Sequence, residues 1–197
     1  DIVVHENKNN MMEEIFRSMR TNLQFMLHEG QKVVLFTSST SGEGKTFTAA
    51  NLSVSFGLLG KKVILVGLDI RRPRLAELFG IQDHRHGITN LLVKESPTAA
   101  EVREQILPSG VNKNLDLLMA GPVPPNPAEL IARKSLEDII GILKDEYDYI
   151  MIDCRSGHRH AADFPRGRRF HLYVPCRLHA EGELRDDQRT GQREEAA

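Results

Sequence analysis

Cysteine and tyrosine are scarce in this chain, with two and three residues among 197. Cys154 and Cys176 have neither CxxC nor zinc-ligand spacing, which excludes a disulfide framework and leaves a reducing compartment as the default. Tyr147, Tyr149 and Tyr173 form no cluster. No apolar run approaches the roughly 20 residues that span a bilayer, and no signal peptide is visible. Neither sign of charge is in excess. Lys and Arg total 26 against 27 Asp and Glu, and a net charge of −1 gives bulk electrostatics no pull toward nucleic acid or an anionic membrane. An initiator methionine is also missing, so a piece of a longer protein is expected. What remains is ordinary: 40% hydrophobic and 27% charged residues, at a length that suits one domain with a proper core.

The pattern along the chain alternates. Residues 11–28 place Met12, Ile15, Met19, Leu23 and Met26 at three- and four-residue spacing, an amphipathic helix. The segments 31–39, 61–69, 114–121 and 147–153 are apolar runs that read as buried strands. Between them, 46–60 reads as a helix ended by Gly60, and 71–80 and 87–95 as short helices. Residues 127–146 read as one helix with Asn126 as cap and Pro127 at its first position. Strands alternating with helices predict an α/β fold: a three-layer, doubly wound (Rossmann-like) architecture with a mostly parallel sheet. Ligands bind beyond the carboxyl ends of such strands, which directs attention to 38–46, 69–72, 121–126 and 153 onward.

SSTSGEGKT (38–46) lies between a predicted strand and a predicted helix, the context a phosphate loop demands. A glycine-rich turn lets backbone N–H groups converge on a phosphate, and the following helix adds its N-terminal dipole. Lys45 would bridge the β- and γ-phosphates, and the Thr46 hydroxyl would ligate Mg²⁺. Ser39 stands where the simple motif has its first glycine. A surface turn with a chance GKT is the bland alternative.

Together SSTSGEGKT, VILVGLDIRRP (63–73) and YDYIMID (147–153) resemble the Walker A, A′ and B motifs of bacterial tyrosine kinases. These are the cytoplasmic autokinase domains of capsular and exopolysaccharide co-polymerases. EEIFRSMRTNLQF (13–25) and GPVPPNPAEL (121–130) extend the resemblance over about residues 10–153. It implies ATP and Mg²⁺ as cofactors, with Ser41, Gly42, Glu43, Gly44, Lys45, Thr46 and Phe47 around the phosphates. It further implies Thr46, Asp69 and Asp153 at Mg²⁺, and Lys45, Asp69 and Asp153 in catalysis. Glu14, Arg17 and Arg20 share one helix face, where a solvated charged stripe is the bland reading. By resemblance they contact the next subunit of a ring and bring its tyrosine-rich tail to ATP. A membrane co-polymerase segment, in the same chain or a partner, and a place at the inner face of the bacterial plasma membrane are implied as well. GPVPPNPAEL reads as a loop near the nucleotide base. One departure stands out: the A′ strand of that family ends D-x-D-x-R, and here Gly67 occupies the first acidic position, before Asp69 and Arg71. The family's first aspartate is a candidate acceptor for the tyrosine proton. Asp69 also has a bland reading, as the cap of the next helix. A ParA/MinD-like ATPase switch, or a nucleotide-binding module without turnover, are the competing functions.

Composition breaks after Asp153. Residues 1–153 hold all nine lysines, whereas 154–197 hold nine arginines, no lysine, no isoleucine and four of the eight histidines. That bias suits GC-rich DNA read out of frame. If Gly157-His158-Arg159 is encoded GGT-CAC-CGA and read one nucleotide later with a following CA, it gives Val-Thr-Asp, as the resemblance expects. Val174 to Leu178 yields Cys-Arg-Ala-Asp-Tyr in the same frame, and Leu178 to Ala197 yields an amphipathic helix. The expected organisation is therefore an ATP-binding domain over 1–153 and an aberrant tail over 154–197, frameshifted or disordered, with the sheet truncated at its C-terminal end. On that reading His158, His160, His171, His179 and Cys176 carry no metal site.

Overall fold

The computed structural model describes residues 2–5, 10–38, 42–154 and 172–175, the last four by their backbone. Four central strands arise from the apolar runs: β1 (Val33–Thr37), β2 (Val63–Gly67), β4 (Leu115–Leu118) and β5 (Tyr149–Asp153). Two edge strands, β3 (Ile106–Pro108) and β6 (Leu172–Pro175), complete a sheet of order β3-β4-β2-β5-β1-β6. All neighbours are parallel except β3, which runs antiparallel to β4.

The helices are α1 (Met11–Met26), α2 (Lys45–Leu58), α3 (Leu75–Phe79), α4 (Ile88–Leu92), α5 (Ala99–Glu104), α6 (Pro127–Ile131) and α7 (Lys134–Glu146). They divide between the two sheet faces. Because strand side chains alternate, Val34, Phe36, Val63, Leu65 and Met151 pack with residues of α1, α2 and α3. Val33, Leu35, Ile64, Val66, Ile150 and Ile152 pack with α4, α5, α6 and α7 on the other face. Each such side chain contributes about 1.5–3 kcal/mol on full burial, so the double-sided core holds the strand ends in register. Three layers and a mostly parallel sheet are borne out.

Several local expectations are corrected. The helix predicted over 127–146 is two helices, with Arg133 extended (φ −79°, ψ 152°) between them. The break lets the buried Ser135 hydroxyl donate to the Leu92 carbonyl on α4 (3.2 Å). Asn126 precedes Pro127 without capping the helix by its side chain; its amide donates to Glu129 Oε2 instead (2.7 Å). On α1 the inward face is Glu13, Phe16 and Leu23, while Met12, Ile15 and Met26 are exposed. Two apolar stripes compete on that helix, and the aromatic contact of Phe16 with Phe47 of α2 decides which faces inward. The short α5 and β3 escape periodicity because neither is long enough to show one. Thr98 and Glu101 form a capping box that marks where α5 starts.

β6 pairs with β1 over Val34↔Leu172 to Thr37↔Pro175, so the sheet carries a strand in a segment where the sequence reading placed none. Four residues without a charge interrupt the arginine-rich tail there. His158, His160, His171, Cys176 and His179, and the question of reading frame, lie outside the described residues.

Candidate nucleotide site

Three strand ends and one helix start converge. β5 lies between β1 and β2, and its last residue, Asp153, is opposite both Phe36 and Gly67. The chain leaving β2 folds over that end, where Leu68 and Asp69 donate their N–H groups to the Asp153 carbonyl (2.8 and 3.2 Å). α2 begins at Lys45 after Gly42 (φ 94°) and Gly44 (φ 79°), left-handed conformations that favour glycine. Gly44 brings no side chain to cap α2, and a helix's first-turn N–H groups have no acceptor within the helix. Among the described residues, those of Lys45, Thr46 and Phe47 have no acceptor, the arrangement that an anion site uses. Ser41 lies outside the described residues.

Asp153 is 2% exposed and Lys45 7%. The Lys45 ammonium donates to Asp153 Oδ1, and the Thr46 hydroxyl donates to Asp153 Oδ2 at 2.8 Å. Burial pushes the Asp153 carboxyl above the usual carboxylate range and the Asp69 charge adds to this, opposed by the ammonium and the hydroxyl. Buried Cys154 is likewise pushed up, by burial and then by Asp153. It packs into the core and has the character of an inert structural thiol.

Asp69 and Asp153 line one cleft together with Gly67, Arg74, Asp83, His84 and Gly121. Asp69 Oδ1 also accepts the Arg72 backbone N–H (3.2 Å), so it anchors the turn after β2 while facing the cleft. The cleft-lining reading fits this placement, whereas the helix-cap reading does not: α3 has Arg74 at its N-cap without a side-chain bond, and Asp69 closes the preceding turn instead. The glycine at 67 sits in a tight place: a Cβ there would lie 3.3 Å from Leu75 Cδ2 and 3.4 Å from the Ala120 N, so a side chain fits only if Leu75 gives slightly. Gly121 brings the GPVPPN loop to this cleft, held by an approach to Gly87 too close for a side chain on the latter. Sequence reasoning overlooked Asp83 and His84. Their one signal was the polar run DHRH before Gly87. The Asp83 carboxyl is held down to about 2 by the Arg85 N–H and the His86 ring.

The predicted oligomerisation residues divide. Glu14 and Arg17 pair on the exposed face of α1 (3.0 Å). Arg20 turns inward, and its Nη1 donates to the Ser55 carbonyl on α2 (2.7 Å) and to the Ser55 hydroxyl (3.2 Å). Among the described residues it braces α2, and its Nε is buried without a partner.

A glycine loop ahead of a helix, a buried lysine in its first turn and a carboxylate at the neighbouring strand end define a P-loop α/β domain. Comparison with known proteins narrows the class. Residues 31–157 match the family model described as AAA domain, and the chain belongs to that family, as a P-loop domain of the bacterial tyrosine-kinase type. It is 36% identical over 154 residues to tyrosine-protein kinase YwqD of Bacillus subtilis (strain 168), covering 78% of this chain and 62% of that one. The chain thus spans less than two thirds of that relative's length. Among solved structures it is similar to the kinase domain of Escherichia coli tyrosine kinase ETK (TM-score 0.76, 26% identity, 89% of this chain and 68% of that one). It is also similar to the septum site-determining protein MinD of Pyrococcus horikoshii OT3 complexed with Mg-ADP (TM-score 0.57, 28% identity, 73% and 57%).

Proposed function

We propose that this chain is the ATP-binding domain of a protein-tyrosine kinase that acts on its own kind and serves capsule or exopolysaccharide production. The observation that carries the reading is the Lys45–Asp153–Thr46 cluster at the start of α2, in a chain with tyrosine-kinase relatives. The first-turn amides of α2 and the Lys45 ammonium hold the β- and γ-phosphates. Thr46, Asp69 and Asp153 form a hard oxygen set that fits Mg²⁺, which takes one or two carboxylates alongside phosphate oxygens. When bound, that ion neutralises charge on the transferring phosphoryl group. Asp69 and Asp153 face the cleft into which a tyrosine enters. The tyrosine oxygen attacks the γ-phosphorus, the bond to the β,γ-bridging oxygen breaks, and the hydroxyl proton passes to Asp69 or to phosphate. Gly67 offers no acceptor, so positioning and charge carry the rate.

The phosphoacceptor is a tyrosine of another subunit. Tyr147 is buried, with its hydroxyl on Asp116 (2.8 Å), and burial then Asp116 push its pKa up. Half-buried Tyr149 meets the Phe56 ring at a 54° tilt, 4.5 Å between centroids. Glu14 and Arg17 suit a contact with a neighbour in a ring. No described helix is long and apolar enough to cross a membrane, and the domain's place at the inner face of the plasma membrane depends on a co-polymerase segment. Residues 1–153 carry the nucleotide site, and 154–197 derive from a shifted reading frame, a reading that the pairing of Leu172–Pro175 with β1 counts against; sequencing the coding DNA against an in-frame relative decides that point.

The likeness to MinD favours a second reading, an ATP-dependent switch that recruits partners without phosphorylating protein. Incubation with γ-labelled ATP and a tyrosine-rich peptide separates the two. Phosphotyrosine supports the kinase, and free phosphate alone supports the switch. Binding without either product leaves a nucleotide-binding module.

A further inference from the structure

Residues Ile2–His5 form an arm that lies against the phosphate-loop helix. Its contact is centred on Asn51, a fully buried residue of α2 whose amide is engaged at both ends. Oδ1 accepts the backbone N–H groups of Val3 (2.7 Å) and Val4 (3.2 Å). Nδ2 donates to the carbonyl of Phe47, one turn earlier (2.9 Å). Val4 is 3% exposed and belongs to the core cluster of Phe16 and Phe56. His5 donates its N–H to Glu13 Oε1 on α1 (3.2 Å), and Glu13 is itself buried. Phe16 of α1 meets the Phe47 ring edge-on at 5.9 Å between centroids. The arm, α1 and the first turn of α2 therefore close on one another around a single amide.

Among the described residues, the side-chain hydrogen bond of Asn51 toward those assigned to phosphate is to the Phe47 backbone carbonyl. Phe47 directly follows Lys45 and Thr46, so a shift of its peptide plane moves the amides and side chains that would grip nucleotide. If the arm leaves, Asn51 Oδ1 loses both of its donors and the cover over it, and the amide is freed to turn toward water and away from the Phe47 carbonyl.

We propose that Asn51 is a positioning residue through which the docked arm sets the nucleotide affinity of the phosphate loop. This rests on the nucleotide-binding reading above. A force or partner acting on the arm would thereby reach the ATP site without touching it.

Val3→Pro tests this in the full chain, because it removes the stronger N–H donor and leaves the Val4 anchor in place. Titration with a fluorescent ADP analogue should show roughly three- to tenfold weaker binding, the range of one or two lost hydrogen bonds. Asn51→Ala should weaken binding by about tenfold, and adding Val3→Pro to it should cost no more, since both act through one amide. Amide exchange, measured without nucleotide, should rise at residues 45–48 in Val3→Pro while the central strands stay protected. Val4→Ala is a milder second way to loosen the arm should Asn51→Ala fold poorly. Unchanged affinity with a lowered Tm overturns the proposal, as do independent, multiplying effects of Val3→Pro and Asn51→Ala. If the wild-type chain binds no nucleotide, the site reading fails, and the exchange experiment still decides whether the arm holds the first turn of α2.

Discussion

Replacing Asp153 by Asn leaves the Lys45 ammonium buried at 7% exposure with its counter-charge gone. The Thr46 hydroxyl keeps an acceptor in the new amide oxygen, so the change isolates the charge. Breaking a buried ion pair from one side costs roughly 3–5 kcal/mol, because the remaining charge is desolvated without compensation. Burial raises the pKa of the Asp153 carboxyl against the pull of Lys45 and Thr46, so desolvation offsets part of the pair's attraction. The lower end, about 3 kcal/mol, is therefore expected for Asp153→Asn, and similarly for Lys45→Met. The double variant removes both charges and should cost about 1 kcal/mol or less. Urea unfolding of all four proteins without added nucleotide measures this, with a coupling of several kcal/mol in the double-mutant cycle. Phosphotyrosine formation should be lost in both single variants and stay lost in the double, so stability recovers while activity does not. If the double variant is destabilised by the sum of the singles, the two charges do not stabilise each other and the reasoning fails.

Gly67→Asp should raise phosphotransfer roughly 10²-fold, the low end for a positioned general base. Leu75 must yield slightly to the new Cβ, and an unchanged rate in a labelled-ATP assay would mean that proton removal does not limit turnover. Arg17→Ala should leave stability within about 0.5 kcal/mol, as for other exposed pairs, while lowering the oligomer fraction by light scattering. Arg20→Ala should cost about 1–3 kcal/mol in urea, because it strips the Ser55 carbonyl of its partner; a silent Arg20→Ala would contradict its bracing role. Glu101 is held down to about 2 from 4.5, by Lys94 first and then by Thr98. Its contribution is complete above about pH 4.5 and is lost as pH falls toward 2, so acid unfolding should be less steep in Glu101→Gln. Equal steepness in the two proteins would remove Glu101 from the acid response.

Much of the candidate site's local geometry is legible in the sequence. Glycines at 42 and 44, a lysine at 45 and a carboxylate ending the run 147–153 are local signals, and each needs only its own few residues to be read. The same holds for the strands at 33–37 and 63–67, whose unbroken apolar character reports burial on both faces. Asp69 was legible only as an alternative, metal site or cap, since a strand-end carboxylate suits both. The structure engages it in a turn bond to the Arg72 N–H, short of the next helix, while it lines the cleft.

By itself the sequence determined the alternation of strands and helices, the phosphate loop and the residues at the strand ends. These follow from short-range periodicity and backbone chemistry. Tertiary structure decided which stripe of α1 turns inward, where the helix predicted over 127–146 breaks, and that Arg20 faces α2 while Arg17 faces solvent. It also decided that Asn51 joins the N-terminal arm to the phosphate-loop helix. Those outcomes depend on partners 31 to 48 residues away in the chain, as with Phe16 and Phe47 or Val3 and Asn51, and no local pattern encodes a partner at that distance.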